Sequence, residues 1–189
     1  MTTIRAFIAV QLPDEVKDAL GEVQRALKSL VSPSAVRWVR PEQMHLTLFF
    51  LGDTDTDKLP SVRDAMDVVA TSHAPFVMRL GGVGCFPNAR RPRVVWVGLA
   101  EEEARLVSLK AALDASLAPL DWTPDDKPFR AHLTLGRVKD ERGVQGVDWA
   151  TDVARLSVPI TTLHLIESKL RPDGPTYTNR YSCRLTAVE

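Results

Sequence analysis

The chain has few cysteines, no net charge and no long apolar run. Its 189 residues include two cysteines, Cys85 and Cys183, and thiols so far apart suggest neither a disulfide framework nor a metal-binding motif. The apolar stretch at residues 6–10 is far too short for a membrane span or for the core of a signal peptide. We therefore expect a soluble cytoplasmic protein that makes no contact with a membrane.

The absence of net charge limits the partners that the chain can attract. Lysine and arginine together number 24 and balance 24 acidic residues, so no overall field draws in long nucleic acid. Any recognition of phosphate must therefore be local. With 44% apolar and 25% charged residues, the composition is that of an ordinary globular protein. We expect one domain over residues 1–189, monomeric and without an obligate protein partner.

Histidine is also scarce, and half of it lies in a repeated tetrapeptide. Two of the four histidines begin identical sequences, His45-Leu46-Thr47-Leu48 and His132-Leu133-Thr134-Leu135. A chance second copy is expected in a chain of this length on the order of once in several hundred sequences. On an extended strand, each copy places His and Thr on one face and both leucines on the other. One copy alone would be explained by a hydrogen-bonded pair in a strand, whereas two copies indicate a functional site.

The repeat extends beyond the two tetrapeptides. His45 and His132 are 87 positions apart, and the same offset lays residues 7–10 on the similarly apolar residues 94–97. It also lays the amphipathic helix predicted after Asp14 on the helix predicted after Glu101. We therefore predict an α+β fold with two pseudo-symmetric lobes. Each lobe is a mainly antiparallel sheet with flanking helices, and the motif strands face a central cleft.

Two histidines and two threonines around one cleft suit a displacement at phosphorus. Because imidazole titrates near neutral pH, one ring can take up a proton while the other, still protonated, donates one. Phosphodiester cleavage needs both steps, and the hydroxyls of Thr47 and Thr134 can donate hydrogen bonds to the phosphate oxygens that gain charge. These residues by themselves do not say which histidine is the acid.

Two other interpretations of the histidine pair stay open. The rings can bind zinc together with a remote carboxylate, as in a metal-dependent hydrolase, although the repeated threonine would then have no function. Alternatively, the cleft can bind a nucleotide end without turnover, although binding alone needs neither an acid nor a base. No carboxylate lies within either tetrapeptide, and we expect neither a metal site nor a cofactor.

The order of the motifs along the chain resembles that of a known family. Segments similar to its signatures lie at residues 5–9, 37–42, 45–48, 50–52, 86–88, 92–94, 96–98, 132–135, 167–168 and 174–177. Over nearly its whole length the chain resembles the two-histidine phosphoesterases, and among them the bacterial and archaeal RNA 2′,3′-cyclic phosphodiesterases, formerly called 2′-5′ RNA ligases. One departure is Ala131, where the family commonly has a proline before the second motif.

The resemblance implies an activity and assigns functions to residues. It implies a metal-independent enzyme that hydrolyses a 2′,3′-cyclic phosphate, on an RNA 3′ end or a small nucleotide, to the 2′-phosphate. In that reaction His45 is the proton donor and His132 the proton acceptor. It also implies reversible 2′-5′ RNA ligation as a secondary activity.

Four further residues are candidates to bind the substrate. Arg137 matches a family position whose arginine contacts the substrate phosphate. In a regular strand it would face away from His132, so this function requires the strand to end or to bulge, for which Gly136 is a suitable place. The alternative is a solvated arginine at a strand end. Phe7, Phe86 and Tyr177 are candidates to stack on a base, whereas Trp38 and Trp96 are better explained as core residues.

A cluster of arginines lies in a loop that is rich in turn-forming residues. These are Arg90, Arg91 and Arg93, among Pro87, Asn88 and Pro92. We interpret them either as a solvated turn or as a guide for an RNA end. The neutral charge of the whole chain limits the distance over which such a guide would act.

Overall fold

One antiparallel sheet runs through both halves of the chain. The computed structural model describes residues 2–124, 127–172 and 174–187. The strands in these ranges are β1 (Thr3–Gln11), β2 (Val36–Trp38), β3 (His45–Asp55), β4 (Phe76–Phe86), β5 (Val94–Ala100), β6 (His132–Val138), β7 (Ser157–Ile160), β8 (Thr162–Lys169) and β9 (Thr176–Arg184). The helices are α1 (Asp14–Lys28), α2 (Leu59–Thr71) and α3 (Glu103–Leu117), with short 3₁₀ turns at Pro41–Gln43, Thr56–Lys58, Ala118–Leu120 and Arg142–Val144. Across the described ranges, no helix has the length and apolar character needed to cross a membrane.

The two motif strands lie at the centre of the sheet. The order of the strands is β7-β4-β5-β6-β3-β1-β8-β9, and β2 also pairs with β6. The strands that correspond in the repeat are β1 with β5 and β3 with β6, and each pair is placed symmetrically about the centre. The predicted α+β fold of two similar halves is confirmed. The structure adds that the two halves share one sheet.

The helices cover one face of the sheet, and the main core lies between them and the strands. α1 and α3 each bury a stripe of apolar residues at helical spacing. The buried residues are Val16, Leu20, Val23 and Leu27 in α1, and Leu106, Leu109, Leu113 and Leu117 in α3. The opposite face carries a separate small cluster of Phe7, Ala9 and Ile166, with Tyr177 packed against it. This second face bears the candidate site.

A β-bulge in β6 changes the face to which the end of the strand points. Relative to β5, β6 has one extra residue at Leu135. Leu135 and Gly136 are both buried, and the next residue, Arg137, is exposed. Arg137 therefore faces the same side of the sheet as His132. Of the two conditions that a function for Arg137 required, an end of the strand or a bulge near Gly136, the structure has the bulge, with its extra residue at Leu135.

The first half of the chain has a matching bulge in β3. Relative to β1, β3 has an extra residue at Leu48, and a second one follows at Leu51. Leu48 and Phe49 are both buried, whereas Phe50 is 65% exposed. Phe50 lies 87 positions before Arg137, so the two side chains follow equivalent bulges. They project from the same face of the sheet.

A buried glutamine of α1 supports the bulge in β6. The Nε2 atom of Gln24 donates to the carbonyl oxygen of Leu135 at 2.7 Å and to that of Val39 at 2.6 Å. The amide of Val39 donates to the same Leu135 carbonyl at 2.8 Å. Buried carbonyl groups need such partners, because an unpaired one costs about 1–3 kcal/mol. Gln24 thus links α1, the segment before the first motif and the bulge that orients Arg137.

Gly136 leaves room for β2 to approach the bulge. A Cβ atom added at Gly136 would lie 2.6 Å from Cγ1 of Val36 and 3.0 Å from Cε3 of Trp38. Both distances are shorter than ordinary van der Waals contact between carbon atoms. The absence of a side chain at position 136 is therefore a packing requirement.

We expect Gly136→Ala to lower the free energy of unfolding by about 1–3 kcal/mol, because β2 must move to admit the methyl group. Chemical denaturation of the two proteins measures this difference. Gly82→Ala is the matched control, since a Cβ atom at Gly82 would meet no atom within 4 Å. Equal losses of stability at the two positions would contradict the close approach of β2.

Candidate active site

The four motif side chains share one face at the centre of the sheet. β3 and β6 pair through Leu46 and Leu133, which are both 0% exposed. Because side chains alternate along a strand, the histidine and the threonine of each motif project from the opposite face. The antiparallel register turns each histidine toward the threonine of the other motif. The structure thus brings together all four residues predicted from the repeat.

Each motif histidine holds its Nδ1 atom against a main-chain carbonyl group. Nδ1 of His45 lies 2.8 Å from the carbonyl oxygen of Gln43, and Nδ1 of His132 lies 2.7 Å from that of Arg130. A carbonyl oxygen accepts and cannot donate, so Nδ1 carries a hydrogen in both protonation states. The neutral ring then has its lone pair on Nε2. That atom is the one that can take up or release a proton.

Two aromatic rings enclose the imidazole of His45. The ring of Phe7 stacks on it with a centroid distance of 4.7 Å and an interplanar angle of 27°. Tyr177 meets it edge-on at 5.3 Å, and Phe7 and Tyr177 contact each other at 5.4 Å. Two of the three predicted stacking residues therefore lie at the site, in contact with His45. Their stacking on a base stays a prediction.

Two other aromatic rings lie beside His132: Phe86, which was also a candidate to stack on a base, and Trp96, which was expected in the core. Phe86 meets the imidazole edge-on at 4.9 Å, and Trp96 lies 6.4 Å from it. The 87-residue offset aligns Val94, not an aromatic residue, with Phe7. The repeat therefore gave no signal for these rings. The signal that the sequence did offer is that Phe86 and Trp96 lie within the segments 86–88 and 96–98, which are similar to the family signatures.

Arg137 lies close enough to His132 and Tyr177 to affect their titration. Burial is the larger influence, lowering the pKa of His132 and raising the pKa of the Tyr177 phenol, and the charge of Arg137 lowers the pKa of both groups. Arg137 is exposed, and it makes no ion pair with any carboxylate in the described part of the chain. Its guanidinium is therefore available to an anion in the site.

Burial holds the pKa of both motif histidines below the ordinary value of 6.5. The hydrogen bond from each Nδ1 to its carbonyl acts in the opposite direction, because it favours the protonated ring. The charge of His132 lowers the pKa of His45 further, so the two rings lie within electrostatic reach of each other. In the free protein these influences together favour the neutral form of both rings. An anion beside them would favour the protonated form.

A cleft of about 1240 Å³ opens beside the motif strands. Its walls include Thr47 and Phe50 from β3, His132 from β6 and Phe86 from the end of β4. Within residues 2–124, 127–172 and 174–187, no group of three or more His, Cys, Asp and Glu side chains is arranged to hold a metal ion.

One protein family matches the chain in both of its halves. The family is described as LigT like Phosphoesterase, and its profile matches residues 10–96 and again residues 97–177. The two matches contain one motif each. They follow the division of the chain that the repeat predicted.

Curated relatives cover almost the whole chain. A protein of Methanothermobacter thermautotrophicus is 33% identical over 186 residues, covering 96% of this chain and 99% of the relative. A protein of Archaeoglobus fulgidus is 36% identical over 177 residues, covering 92% of this chain and 96% of the relative. Each relative is named RNA 2′,3′-cyclic phosphodiesterase.

Solved structures agree with the fold. A crystal structure of a Thermus thermophilus protein has a TM-score of 0.82 and 34% identity, covering 96% of this chain and 98% of that one. Escherichia coli LigT, crystallised with 3′-AMP, has a TM-score of 0.78 and 25% identity, covering 98% and 99% of the two chains.

We expect nitrogen-15 NMR of the free protein to find Nδ1 protonated in neutral His45 and His132, with both pKa values below the ordinary 6.5. Arg137→Gln should raise the pKa of His132, because it removes a positive charge that disfavours imidazolium. Arg91→Gln removes an exposed arginine that does not line the cleft, and it should change neither value. If the pKa of His132 is the same with and without Arg137, the two groups are not neighbours.

Proposed function

We propose that this chain, which belongs to the LigT like Phosphoesterase family, hydrolyses RNA or nucleoside 2′,3′-cyclic phosphates to the 2′-phosphate. One observation carries the proposal: two histidines on adjacent strands share a face, and each has Nδ1 fixed on a carbonyl and Nε2 free for proton transfer. Curated relatives that carry the name of this activity support it. The 3′-AMP complex of LigT supports a nucleotide as the ligand.

The proposed reaction is an in-line displacement by water. Nε2 of His132 takes a proton from water, the water oxygen bonds to phosphorus, and the bond from phosphorus to O3′ breaks. Nε2 of His45 gives its proton to O3′, which becomes a hydroxyl, and the phosphate stays on O2′. A proton must then return from His132 to His45 through solvent. Every step uses groups of the chain and one water molecule.

The environment of His132 supports its assignment as the proton acceptor. A general base must be neutral before the reaction, and the charge of Arg137 lowers the pKa of His132 in addition to burial. The influences on the pKa of His45 include the charge of His132, which is present only when that ring is protonated, but no arginine. When the cyclic phosphate binds, its negative charge favours protonation of His45, the proposed acid.

Two kinds of group stabilise the phosphate oxygens in this proposal. The hydroxyls of Thr47 and Thr134 project beside the two rings and donate hydrogen bonds to the non-bridging oxygens. The guanidinium of Arg137 supplies a positive charge and two parallel donors. A 5′-hydroxyl that replaces water would form a 2′-5′ linkage with the same acid and base, and we keep this ligation as a secondary prediction.

We expect His45→Ala and His132→Ala to lower kcat for a nucleoside 2′,3′-cyclic phosphate by about 10²–10⁴-fold each, because each removes one proton-transfer step. Thr47→Val and Thr134→Val should each lower kcat by roughly 10²-fold. The assay contains a chelator and follows formation of the nucleoside 2′-phosphate. His73→Ala is the control and should keep normal activity, since His73 lies after α2 with Nδ1 near the Val69 carbonyl.

The same assay separates the alternatives. Full activity in either histidine variant would contradict the paired mechanism. Loss of native activity in chelator would favour the metal-dependent hydrolase. Binding of the nucleotide by the native chain without turnover would favour a binding module.

We expect the pH profile of kcat/KM to be bell-shaped with its maximum below 6.5. One histidine must be neutral and the other protonated, and burial lowers the pKa of both in the free protein. The maximum of kcat should lie at higher pH, because the bound phosphate raises both pKa values. A profile with a single ionisation would contradict the paired functions.

A further inference from the structure

The cleft beside the motif strands is larger than a small ligand needs. Its volume of about 1240 Å³ exceeds the roughly 300–1,000 Å³ of pockets that enclose a drug-sized molecule. It begins at Thr47 and His132 and extends to Lys110 on α3 and to Arg130 before β6. A nucleotide at the histidine pair would therefore leave part of the cleft open.

Among the described residues, basic side chains outnumber acidic ones in the open part of the cleft, although the whole chain has no net charge. Arg93, Lys127 and Arg130 line it, and none of them pairs with a carboxylate in the described part of the chain. Lys110 and Asp114 also line it, but they form an ion pair with each other. Basic side chains that line a groove next to a phosphate site attract further phosphates of the same strand.

The cleft also presents aromatic rings at the end nearest the histidines. Phe50 is 65% exposed, and the guanidinium of Arg130 lies 6.0 Å from the centroid of the Phe86 ring. Rings combined with basic side chains are the features with which proteins bind single-stranded nucleic acid, because any base can stack. Phe50 occupies the position that corresponds to Arg137 in the other half. One side of the histidine pair thus offers a cation and the other side a ring.

We propose that this cleft binds the RNA strand on the 5′ side of the cyclic phosphate, so that oligoribonucleotide ends are better substrates than mononucleotides. The inference rests on the proposed function. Arg93 and Arg130 contact the phosphates that precede the terminal nucleotide, and Phe50 stacks on a base. The cleft thereby selects single-stranded RNA whose 3′ end is unpaired.

The arginine-rich loop at residues 90–93 provides a control variant that removes as many positive charges as a variant of the cleft. Of its three arginines, Arg93 lines the cleft, whereas Arg90 and Arg91 do not. The main-chain amides of Arg90 and Arg91 both donate to Oδ1 of Asn88, at 3.0 and 3.1 Å, in the turn outside the cleft. Of the two interpretations of this loop, we therefore assign the contact with RNA to Arg93 and the solvated turn to Arg90 and Arg91.

The test compares kcat/KM for a tetraribonucleotide ending in a 2′,3′-cyclic phosphate with that for the matching nucleoside 2′,3′-cyclic phosphate. We expect the ratio of the two to be at least about 10 in the native chain and to fall about 10-fold in Arg93→Gln/Arg130→Gln. The slope of log KM against log salt for the tetranucleotide should decrease by about 1.4, as for two lost phosphate contacts. Phe50→Leu should lower the ratio without changing the slope.

The control Arg90→Gln/Arg91→Gln should keep the native ratio. A native ratio near 1, or an equal fall in the control, would overturn the proposal. Fluorescence anisotropy with a 5′-labelled tetraribonucleotide 2′-phosphate tests the groove without turnover. If the native chain binds that probe, Arg93→Gln/Arg130→Gln weakens the binding and no cyclic phosphate is hydrolysed, then the cleft binds RNA as proposed and the proposed hydrolysis is wrong.

Discussion

The pairing of Leu46 with Leu133 is the constraint on which the candidate site depends. It is the position where the two motif strands meet, and both side chains are 0% exposed. Burial of a leucine side chain contributes about 1.5–3 kcal/mol, so the core strongly favours this register. Because side chains alternate, the same register sets both histidines and both threonines on the other face. A shift by one residue would turn all four into the core. The contact that joins the two halves therefore also builds the site.

Burial and acid-base chemistry act in opposite directions at this site. Rings packed on His45 and His132 fix their orientation but lower the pKa of each, which removes the proton that an acid needs. The carbonyl groups of Gln43 and Arg130 offset part of this effect and also keep the hydrogen on Nδ1. The remaining compensation has to come from an anion. In the proposed reaction the substrate phosphate is that anion, so the site gains its acid when the substrate binds.

Features that repeat or that depend on local pattern could be predicted from the sequence. The alternation in each tetrapeptide and the apolar spacing of α1 and α3 depend on neighbours within a few residues, and the structure has them as expected. The direct pairing of β3 with β6 was not predicted, because pairing between distant segments leaves no local signal. Phe50 was missed as a cleft residue for a related reason. In a regular strand Phe50 would lie on the same face as Leu46 and Leu48. The bulge at Leu48 places it on the opposite face, with the histidines.

A duplicated scaffold cannot by itself distinguish an acid from a base. The tetrapeptides, the bulges at Leu48 and Leu135 and the Nδ1 hydrogen bonds are the same in both halves, so any difference between the histidines must come from residues that the repeat does not preserve. Arg137 and Phe50 are such residues at equivalent positions. The cation disfavours the protonated form of His132, which suits the proposed acceptor, and the ring adds no charge on its side. In the proposed binding mode the same difference gives the site a direction, because Arg137 would bind the cyclic phosphate and Phe50 would stack on a base of the preceding strand. In the proposed mechanism, the presence of Arg137 in one half and Phe50 at the equivalent position of the other therefore decides two things. It decides which histidine is the acid and which is the base, and it decides the direction in which the RNA strand lies.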